Sequence, residues 1–371
     1  MYDLAIIGGG LAGAATAYFA CKHGASVVLL ERADLNLGAS GSNAGSIHAQ
    51  IPFEPFRLLG PDWARRYAST IPLFQASIAR WGTLEEELGG PLGLSAKGGL
   101  MVAATEPDME MLRDKVSVER DAGLGVEMWD AARLRADAPF LSDTMLGGAF
   151  CGIEGKADPF LVAPLFARRA QELGLDLRRN AGVNGIAKGD DCFTLDTAQG
   201  SIKARRVVNA GGADAARIAM MLGVEVAIEG HAIQVSVTEK RPPTLPYLLY
   251  FTGEKLTLKQ ATEGGFLIGG GWPAQLRGHP IVDHRSMVRN LVIAQTVVPS
   301  LAGVQILRSW AAMVNGTKDW RPILGEVSQV PGFYLNLFPW MGFTAAPAVS
   351  EAIAALATDR TPKVDLSGFC L

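Results

Sequence analysis

Apolar residues at the start of the chain form two short runs separated by a helical pattern. Tyr2–Ile7 is typical of a buried parallel strand, residues 14–23 have an alanine-rich helical pattern, and residues 25–30 form a second apolar run that ends on Glu31. Glycines at positions 8, 10 and 13 have the spacing GxGxxG between the first strand and the helix. This order of strand, glycine turn, helix, strand and acid predicts a dinucleotide-binding unit.

Each glycine of that turn has a chemical reason. Gly8 permits the tight turn, Gly10 lets the backbone approach a pyrophosphate, and Gly13 lets the helix pack closely on the strand. The phosphates would lie on free N–H groups at the helix N-terminus, where the helix dipole favours anions. Glu31 stands where a carboxylate can accept hydrogen bonds from both ribose hydroxyls. The alternative is a glycine-rich turn that binds no ligand.

Later patterns indicate that the chain leaves this nucleotide unit and returns to it. The predicted helices are 61–88, 106–123, 158–173, 213–222, 285–298 and 345–357, and the predicted strands are 98–103, 126–129, 175–177, 183–186, 193–197, 201–204, 206–212, several within 224–271, 304–310 and 332–337. Strand, glycine and helix recur near residues 206–222 and 332–357. We therefore predict a discontinuous nucleotide domain formed by 1–82, 146–222 and 304–371, and a second domain formed by 83–145 and 223–303.

Residues 38–50 are small, polar and rich in glycine, which is unsuited to a core element. We interpret this segment as a loop that a ligand approaches closely. It contains His48, whose side chain can titrate near neutral pH.

Composition narrows the classes of function. The 371 residues, of which 49% are hydrophobic, suffice for two intertwined domains with a sizeable core. The formal net charge of −3 gives no reason to expect nucleic acid as a partner, and no cluster of lysine and arginine marks a membrane surface.

Cysteine usage and the start of the chain set further expectations. Cys21, Cys151, Cys192 and Cys370 have no metal-ligand spacing, so we expect reduced thiols and no metal site. The chain begins on the predicted cofactor strand, which leaves no room for a signal peptide, and no apolar run reaches the ~18 residues of a membrane span. We therefore expect a cytoplasmic protein.

Several motifs beyond the glycine turn point to one flavoprotein family. Residues 41–45, Gly-Ser-Asn-Ala-Gly, resemble an SGxNAG loop beside a flavin ring, and further matching motifs lie at 98–100, 158–159, 209–211, 310, 319–325 and 342–348. In these positions, and over nearly its whole length, the chain resembles the D-amino-acid-oxidase-type family, which includes glycine oxidase and sarcosine oxidase. Residues 44–48 are most similar to the β subunits of opine (octopine and nopaline) oxidases and hydrogen cyanide synthase.

The resemblance implies an α/β fold in which a Rossmann-like FAD-binding domain of glutathione-reductase type is interleaved with an α+β domain built on a mostly antiparallel sheet. The flavin ring would lie between the loop of residues 42–46 and the glycine turn at Gly342. A helix that begins near Thr344 would direct N–H groups at the negative charge of a reduced flavin, although Gly342 as an ordinary turn glycine is the alternative. The implied FAD contacts are Gly8, Gly10, Leu11, Ala12, Gly13, Glu31, Arg32, Ser42, Asn43, Ala44, Gly45, Ser46, Val183, Ala210, Gly211, Met341, Gly342, Phe343 and Thr344.

Three departures from the family change the expected chemistry. Glycine oxidase-like enzymes pair the substrate carboxylate with an arginine at the position of Val314, so a plain glycine or sarcosine substrate is not expected. Ala311 and Ala312 stand where monomeric sarcosine oxidase has its flavin-linking cysteine, which predicts non-covalent FAD. The lysine that assists oxygen attack in monomeric sarcosine oxidase aligns near Leu267, so this chain lacks it there. Its absence favours a dehydrogenase over an oxidase.

Candidate catalytic residues follow the predicted flavin loop and one strand of the second domain. His48 is the first candidate for a residue that contacts the substrate. The alternative is a histidine that only forms hydrogen bonds within its own loop. Tyr250 joins it, and Lys255, Thr257 and Lys259 alternate on one strand face, where they either meet a substrate carboxylate or form a solvated surface. The tryptophans that either wall the pocket or pack in the core are Trp310, Trp320 and Trp340.

The predicted function is FAD-dependent oxidation of the secondary amine of an amino acid derivative, an opine or a D-imino acid, by hydride transfer from the α-carbon to flavin N5. The resemblance to β subunits implies a hetero-oligomeric dehydrogenase, with a second subunit that carries an iron–sulfur cluster or FMN at or beyond the interface. One alternative is a self-sufficient glycine- or sarcosine-type oxidase that makes hydrogen peroxide. Another, of a different class, is a flavin-bearing assembly or electron-relay subunit without its own substrate site.

Overall fold

The computed structural model describes residues 1–371 as strands and helices arranged around two large sheets. The strands are β1 Tyr2–Ile7, β2 Val27–Leu30, β3 Ser46–Ile47, β4 Gly99–Ala103, β5 Val126–Asp130, β6 Gly147–Cys151, β7 Gly155–Lys156, β8 Asp176–Arg178, β9 Val183–Lys188, β10 Phe193–Thr197, β11 Gly200–Asn209, β12 Glu229–Lys240, β13 Leu248–Phe251, β14 Thr257–Gln260, β15 Gly265–Pro273, β16 Gln275–Arg277, β17 His279–Ile281, β18 Ile306–Gly316, β19 Ile323–Glu326 and β20 Phe333–Leu337. The helices are α1 Leu11–Lys22, α2 Ala39–Ser42, α3 Phe53–Tyr67, α4 Ile71–Leu88, α5 Glu106–Asp121, α6 Ala131–Asp137, α7 Pro159–Glu172, α8 Ala215–Met220, α9 His284–Val297 and α10 Gly342–Leu356. None of these helices combines the length and apolar character needed to cross a membrane.

The first sheet has the order β19-β20-β11-β1-β2-β8, with β10 and β9 attached beside β11. β1 pairs in parallel with β2 and β11, and β11 pairs in parallel with β20. On one face, α1 packs against α7 and α10 in the largest core, whereas α8 and the β9-β10 hairpin contribute to a second core on the other face. Burial on both faces explains why β1 and β2 are continuous apolar runs.

The second sheet has the order β18-β12-β15-β14-β13-β4-β6-β5 and is antiparallel except between β13 and β4. A third core with α9 covers one face. The helix α9 begins where the Asp283 side chain accepts a hydrogen bond from the N–H of Ser286, which satisfies one free donor of its first turn. The predicted fold class, one mostly parallel sheet and one mostly antiparallel sheet, is confirmed.

Two predicted domain boundaries need correction. β6 and β18, which follow residues 146 and 304, belong to the second sheet, so the chain returns to the first domain later than predicted. Periodicity identifies a strand but does not reveal its hydrogen-bonding partner, and β18 pairs with β12 along nearly its whole length. The segment 38–50, interpreted as a loop, contains α2 and β3, and the strands predicted at 201–204 and 206–212 form the single strand β11.

Candidate cofactor and substrate site

The glycine turn after β1 is packed too closely for side chains. A Cβ at Gly13 would overlap the carbonyl oxygen of Gly8, and Gly8 has a φ of 111°, which is the left-handed region that glycine tolerates. A Cβ at Gly8 would also lie 2.5 Å from the carbonyl oxygen of Ala210. The predicted reasons for these two glycines therefore agree with the geometry, and Ala210 and Gly211 lie beside the turn.

The N-terminus of α1 is free to receive an anion. Its first turn has no acidic residue and its N-cap, Gly10, supplies no side-chain hydrogen bond. The Leu11 N–H donates to Ser40 Oγ at 2.9 Å, and the first N–H groups of a helix have no partner within the helix. Glu31 lies at the edge of the turn, where its carboxylate accepts from the Gly9 N–H at 2.6 Å and the Ala33 N–H at 2.9 Å.

Three other residues implied in adenosine binding surround this turn. Val183 is buried at the start of β9, and the Ala181 N–H two residues before it donates to the Glu31 carbonyl at 2.8 Å. Ala210 donates to the carbonyl of Ile7 at 2.9 Å, at the carboxyl end of β1. The Arg32 guanidinium forms an exposed ion pair with Asp214, so its charge is already partnered.

The loop of residues 42–46 and the start of α10 are joined by one hydroxyl group. Thr344 Oγ1 accepts from the His48 N–H at 2.8 Å and donates to the Ser46 carbonyl at 3.4 Å. Gly45 has a φ of 73°, and a Cβ there would overlap the carbonyl oxygen of Ala157. The structure thus brings together the two segments predicted to hold the flavin ring, which are 298 positions apart between Ser46 and Thr344.

The N-terminus of α10 resembles that of α1. The N-cap Met341 makes no side-chain capping bond, and the first turn has no acidic residue. A Cβ at Gly342 would meet only the Cβ of Phe338, at 3.6 Å, so nothing within the chain requires glycine there. Two uncapped helix N-termini and a carboxylate at the ribose position fit the diphosphate, flavin and adenosine parts of FAD.

A cavity of about 250 Å³ adjoins both flavin segments. It is lined by all four predicted catalytic residues, His48, Tyr250, Lys255 and Thr257, and by five of the predicted flavin contacts, Asn43, Ala44, Ser46, Met341 and Phe343. These nine side chains come from three separate parts of the chain, residues 43–48, 250–257 and 341–343. The remaining predicted flavin contacts, Ser42, Gly45, Gly342 and Thr344, are their neighbours in sequence.

His48 is the centre of the polar part of this cavity. Its Nδ1 lies 2.7 Å from the Tyr250 hydroxyl oxygen, which is 3.0 Å from Glu154 Oε2. Burial, reinforced by the charge of Lys259, lowers the pKa of His48 to about 3. The imidazole is therefore neutral at physiological pH, and it is not the near-neutral titrating group that the sequence suggested.

Glu154 was not found by sequence reasoning. It is fully buried, and its Oε1 accepts from the N–H groups of Ala49 and Gln50 at 2.5 and 2.7 Å. A Cβ at Gly99 would overlap Glu154 Oε2, so the Gly98-Gly99 motif leaves room for this carboxylate. The partners of Glu154 are 96 to 105 positions away in sequence, and no local pattern could have identified it.

The lysines on the predicted strand face have different environments. Lys255 lines the cavity at the end of a loop, and its ammonium group pairs with Glu54 at 3.4 Å. Lys259 is 1% exposed and donates to the hydroxyl of Ser46, so a solvated strand face is the wrong interpretation for it. It lies directly opposite Leu267 in the sheet, and cross-strand pairs share a face.

Two of the three tryptophans line the cavity. Trp320 and Trp340 stack with ring centroids 4.8 Å apart, and both have a positive φ, 66° and 55°, which is strained for a large side chain. Trp310 instead donates from Nε1 to the Ser42 carbonyl at 2.7 Å and so supports the flavin loop. Val314, predicted to stand in place of a carboxylate-binding arginine, lines the cavity.

Comparison with known proteins agrees with this geometry. A family model described as FAD dependent oxidoreductase matches residues 3–356. The chain is similar to the β chain of sarcosine oxidase of Rhizobium meliloti (strain 1021), 26% identical over 100% of this chain and 88% of that protein, and to one of the opine oxidase subunits of Rhizobium meliloti, 27% identical over 90% and 87%. The crystal structure of glycine oxidase from Geobacillus kaustophilus has the same fold, with a TM-score of 0.89 at 24% identity over 100% of this chain and 98% of that one.

Proposed function

The chain belongs to the family of FAD-dependent oxidoreductases, and we propose that it oxidises the secondary amine of an amino acid derivative, an opine or a D-imino acid, to an imine. The family resemblance drawn from the sequence motifs is confirmed. When bound, FAD would accept the hydride of the amine α-carbon at N5. The comparisons support FAD and give no support for FMN at a subunit interface.

The observation that carries this proposal is the composition of the cavity. Its polar part contains the neutral imidazole of His48, next to the flavin loop, and its β12 and β18 wall is apolar, with Ile233, Val235 and Val314. A neutral imidazole can accept a hydrogen bond from an amine N–H, and an apolar wall suits the second carbon substituent that distinguishes a secondary amine.

Arg57 is the candidate for the substrate carboxylate. Arg57 lines the cavity, is exposed, and makes no ion pair or side-chain hydrogen bond. The ammonium group of Lys255, the other cation of the cavity lining, is already paired with Glu54. An arginine can hold a carboxylate through two parallel hydrogen bonds. We therefore propose that Arg57 binds the substrate carboxylate, which Val314 cannot do. Because Arg57 is exposed, it suits a carboxylate at the outer end of an extended substrate.

Anaerobic reduction of the bound flavin tests the function. Opines, D-imino acids and N-methyl amino acids would be mixed with the FAD-loaded protein in the absence of oxygen, with and without co-expressed neighbouring chains. We expect bleaching of the flavin absorbance by an opine or a D-imino acid. If no member of the panel reduces the flavin, the assembly or electron-relay alternative is favoured and the proposal fails.

Substitution of Arg57 by glutamine tests the carboxylate contact. We expect the KM for a carboxylated amine to rise by about 10-fold or more with kcat nearly unchanged, because the contact is made equally in the ground and transition states. Arg66→Gln is the matched control, because Arg66 is an exposed arginine of the same helix α3, makes no ion pair and lies outside the cavity lining. Equal effects of the two substitutions would contradict the role of Arg57.

A self-sufficient oxidase is the second candidate, and Lys259 is the observation that favours it. The buried ammonium group of Lys259 lies beside Ser46 and on the same sheet face as Leu267. The family resemblance implies an oxygen-assisting lysine near the position of Leu267, and Lys259 could supply that charge instead. Catalase-sensitive oxygen uptake by the isolated chain would support the oxidase. Activity only with a dye acceptor or a co-purifying second subunit would support the dehydrogenase.

A further inference from the structure

The side chains of His48, Tyr250 and Glu154 form a line of hydrogen bonds from the cavity into the protein interior. None of the predicted FAD contacts requires this line. His48 and Tyr250 are half-buried and line the cavity, and Glu154 behind them is fully buried. The distances are 2.7 Å from His48 Nδ1 to the Tyr250 oxygen and 3.0 Å from that oxygen to Glu154 Oε2. Buried polar groups in such a line are coupled through their protons.

The donors around Glu154 determine which atoms carry these protons. The backbone N–H groups of Ala49 and Gln50 both donate to Oε1, and the Gln50 side-chain amide donates to Oε2 at 3.1 Å. Hydrogen bonds of this kind favour the ionised carboxylate. With Glu154 ionised, Tyr250 gives its single hydroxyl proton to Glu154 and must accept one from His48. His48 consequently carries its proton on Nδ1 and has a lone pair on Nε2.

We propose that His48 Nε2 accepts a proton from the ammonium form of the substrate and that Tyr250 and Glu154 relay the charge of that proton into the interior. This inference rests on the proposed amine substrate. His48 is the catalytic residue of the relay, and Tyr250 and Glu154 act through it.

The relay is balanced in atoms and charge. The N–H bond of the ammonium group breaks as an Nε2–H bond forms, the Nδ1 proton of His48 moves to the Tyr250 oxygen, and the Tyr250 proton moves to Glu154 Oε2. Three protons each move one place and no electrons are transferred. A cation and a carboxylate become a neutral amine and a neutral acid, and burial of the Glu154 carboxyl group favours that direction. The neutral amine is the form that can lose a hydride.

The charges and burial around His48 disfavour an imidazolium, so His48 passes the proton on and does not keep it. Burial, reinforced by the charge of Lys259 on β14, lowers the pKa of His48 to about 3. Burial is also the largest influence on Glu154 and raises its pKa, while its hydrogen bonds oppose the rise. The other titratable groups that act on the relay are Glu119 on α5 and Cys151 on β6, which act on Tyr250, and Lys115 on α5, which contacts Gln50.

The tautomer of His48 can be measured without any substrate. In the FAD-loaded protein labelled with ¹⁵N-histidine, His48 would be assigned by the loss of its signals in His48→Gln. We expect a protonated Nδ1 and an unprotonated Nε2 throughout the neutral pH range. His23, whose Nδ1 contacts Thr358 Oγ1 at 2.9 Å outside the cavity lining, is an internal reference. A wild-type His48 that is an imidazolium, or that carries its proton on Nε2, would overturn the relay.

Glu154→Gln should reverse the direction of the hydrogen bonds. The N–H groups of Ala49 and Gln50 would hold the new amide oxygen in the place of Oε1, so the amide NH₂ would face Tyr250. Tyr250 would then donate to His48, which would move its proton to Nε2. An unchanged tautomer in Glu154→Gln would also refute the relay. Tyr18→Phe is a matched control, because Tyr18 is a buried tyrosine that donates to another glutamate at 2.9 Å.

The rate of anaerobic flavin reduction gives an independent readout. In the wild type, the rate at saturating substrate should vary little with pH below the pKa of the free amine. In Glu154→Gln and Tyr250→Phe it should fall about tenfold per pH unit there, because only the neutral fraction of the amine reacts. A wild-type pH profile in both variants would refute the relay. If no amine reduces the wild-type flavin, the proposed function fails, while the His48 tautomer still decides the proton arrangement.

Discussion

Replacement of Lys259 by methionine tests whether the second sheet contains an unpaired buried charge. Lys259 is 1% exposed, and its only hydrogen-bond partner is the neutral hydroxyl of Ser46. Burial, with a smaller effect of Lys156, lowers the pKa of Lys259 from 10.5 to about 7. In the unfolded chain the same group regains its ordinary pKa, so folding is coupled to proton release above neutral pH.

The sign and size of the effect follow from these two pKa values. Below about pH 7 both states hold the proton and the full penalty of burying the charge is present, whereas above pH 10.5 both states are neutral and the penalty is gone. Between these limits the unfolded state binds more protons, so the free energy of unfolding rises with pH by about 1.4 kcal/mol per unit. The penalty near pH 7 is of order 5 kcal/mol at most.

Lys259→Met keeps an unbranched apolar side chain and removes the charge. We expect the apoprotein to gain a few kcal/mol of stability near neutral pH and to lose the rise in stability between pH 7 and 10.5. The assay is urea unfolding of the apoprotein at several pH values, because bound FAD would add its own binding energy to the midpoint.

Lys115→Met is the matched control, because Lys115 is also fully buried but pairs with Glu119 at 2.5 Å. Removal of one partner from a buried pair leaves the other charge unpaired and costs about 3–5 kcal/mol. The two substitutions should therefore have opposite effects on stability. If Lys259→Met is as destabilising as Lys115→Met, or retains the pH dependence, the assignment of an unpaired charge is wrong.

Further predictions concern glycines that the structure leaves no room to replace. Gly13→Ala should cost about 1–3 kcal/mol and weaken FAD binding, measured by urea unfolding and flavin fluorescence, because its Cβ overlaps a backbone oxygen of the turn. Gly45 and Gly223 both have a left-handed φ, 73° and 72°, so substitution of either by alanine adds a strain of about 1–2 kcal/mol. Only the Cβ at position 45 would also overlap a backbone atom, so Gly45→Ala should lower the free energy of unfolding by about 1–3 kcal/mol more than Gly223→Ala. Equal losses would contradict this reasoning. Gly99→Ala should displace Glu154 and change the His48 ¹⁵N signals even where the protein remains folded.

Much of the first domain was predictable because its determinants are local. The strand Tyr2–Ile7 is observed with the predicted bounds, and the helix predicted at 14–23 is observed at Leu11–Lys22. The second sheet was predicted as strands without an order. Its edge strand β18 was assigned to the wrong domain, because backbone pairing is decided by partners that are distant in sequence.

By itself, the sequence predicted the dinucleotide turn and the loop of residues 42–46 beside the flavin. A glycine is required where the neighbouring backbone leaves no room for a Cβ, and such a glycine can be read directly from the sequence. It also identified His48 and Tyr250 as candidates, but not their connection. Only the tertiary structure placed Glu154 behind Tyr250, buried Lys259 beneath the flavin loop and left Arg57 as the free cation of the cavity. The protonation and charge of these groups depend on burial and on partners far away in the chain, which no local pattern encodes.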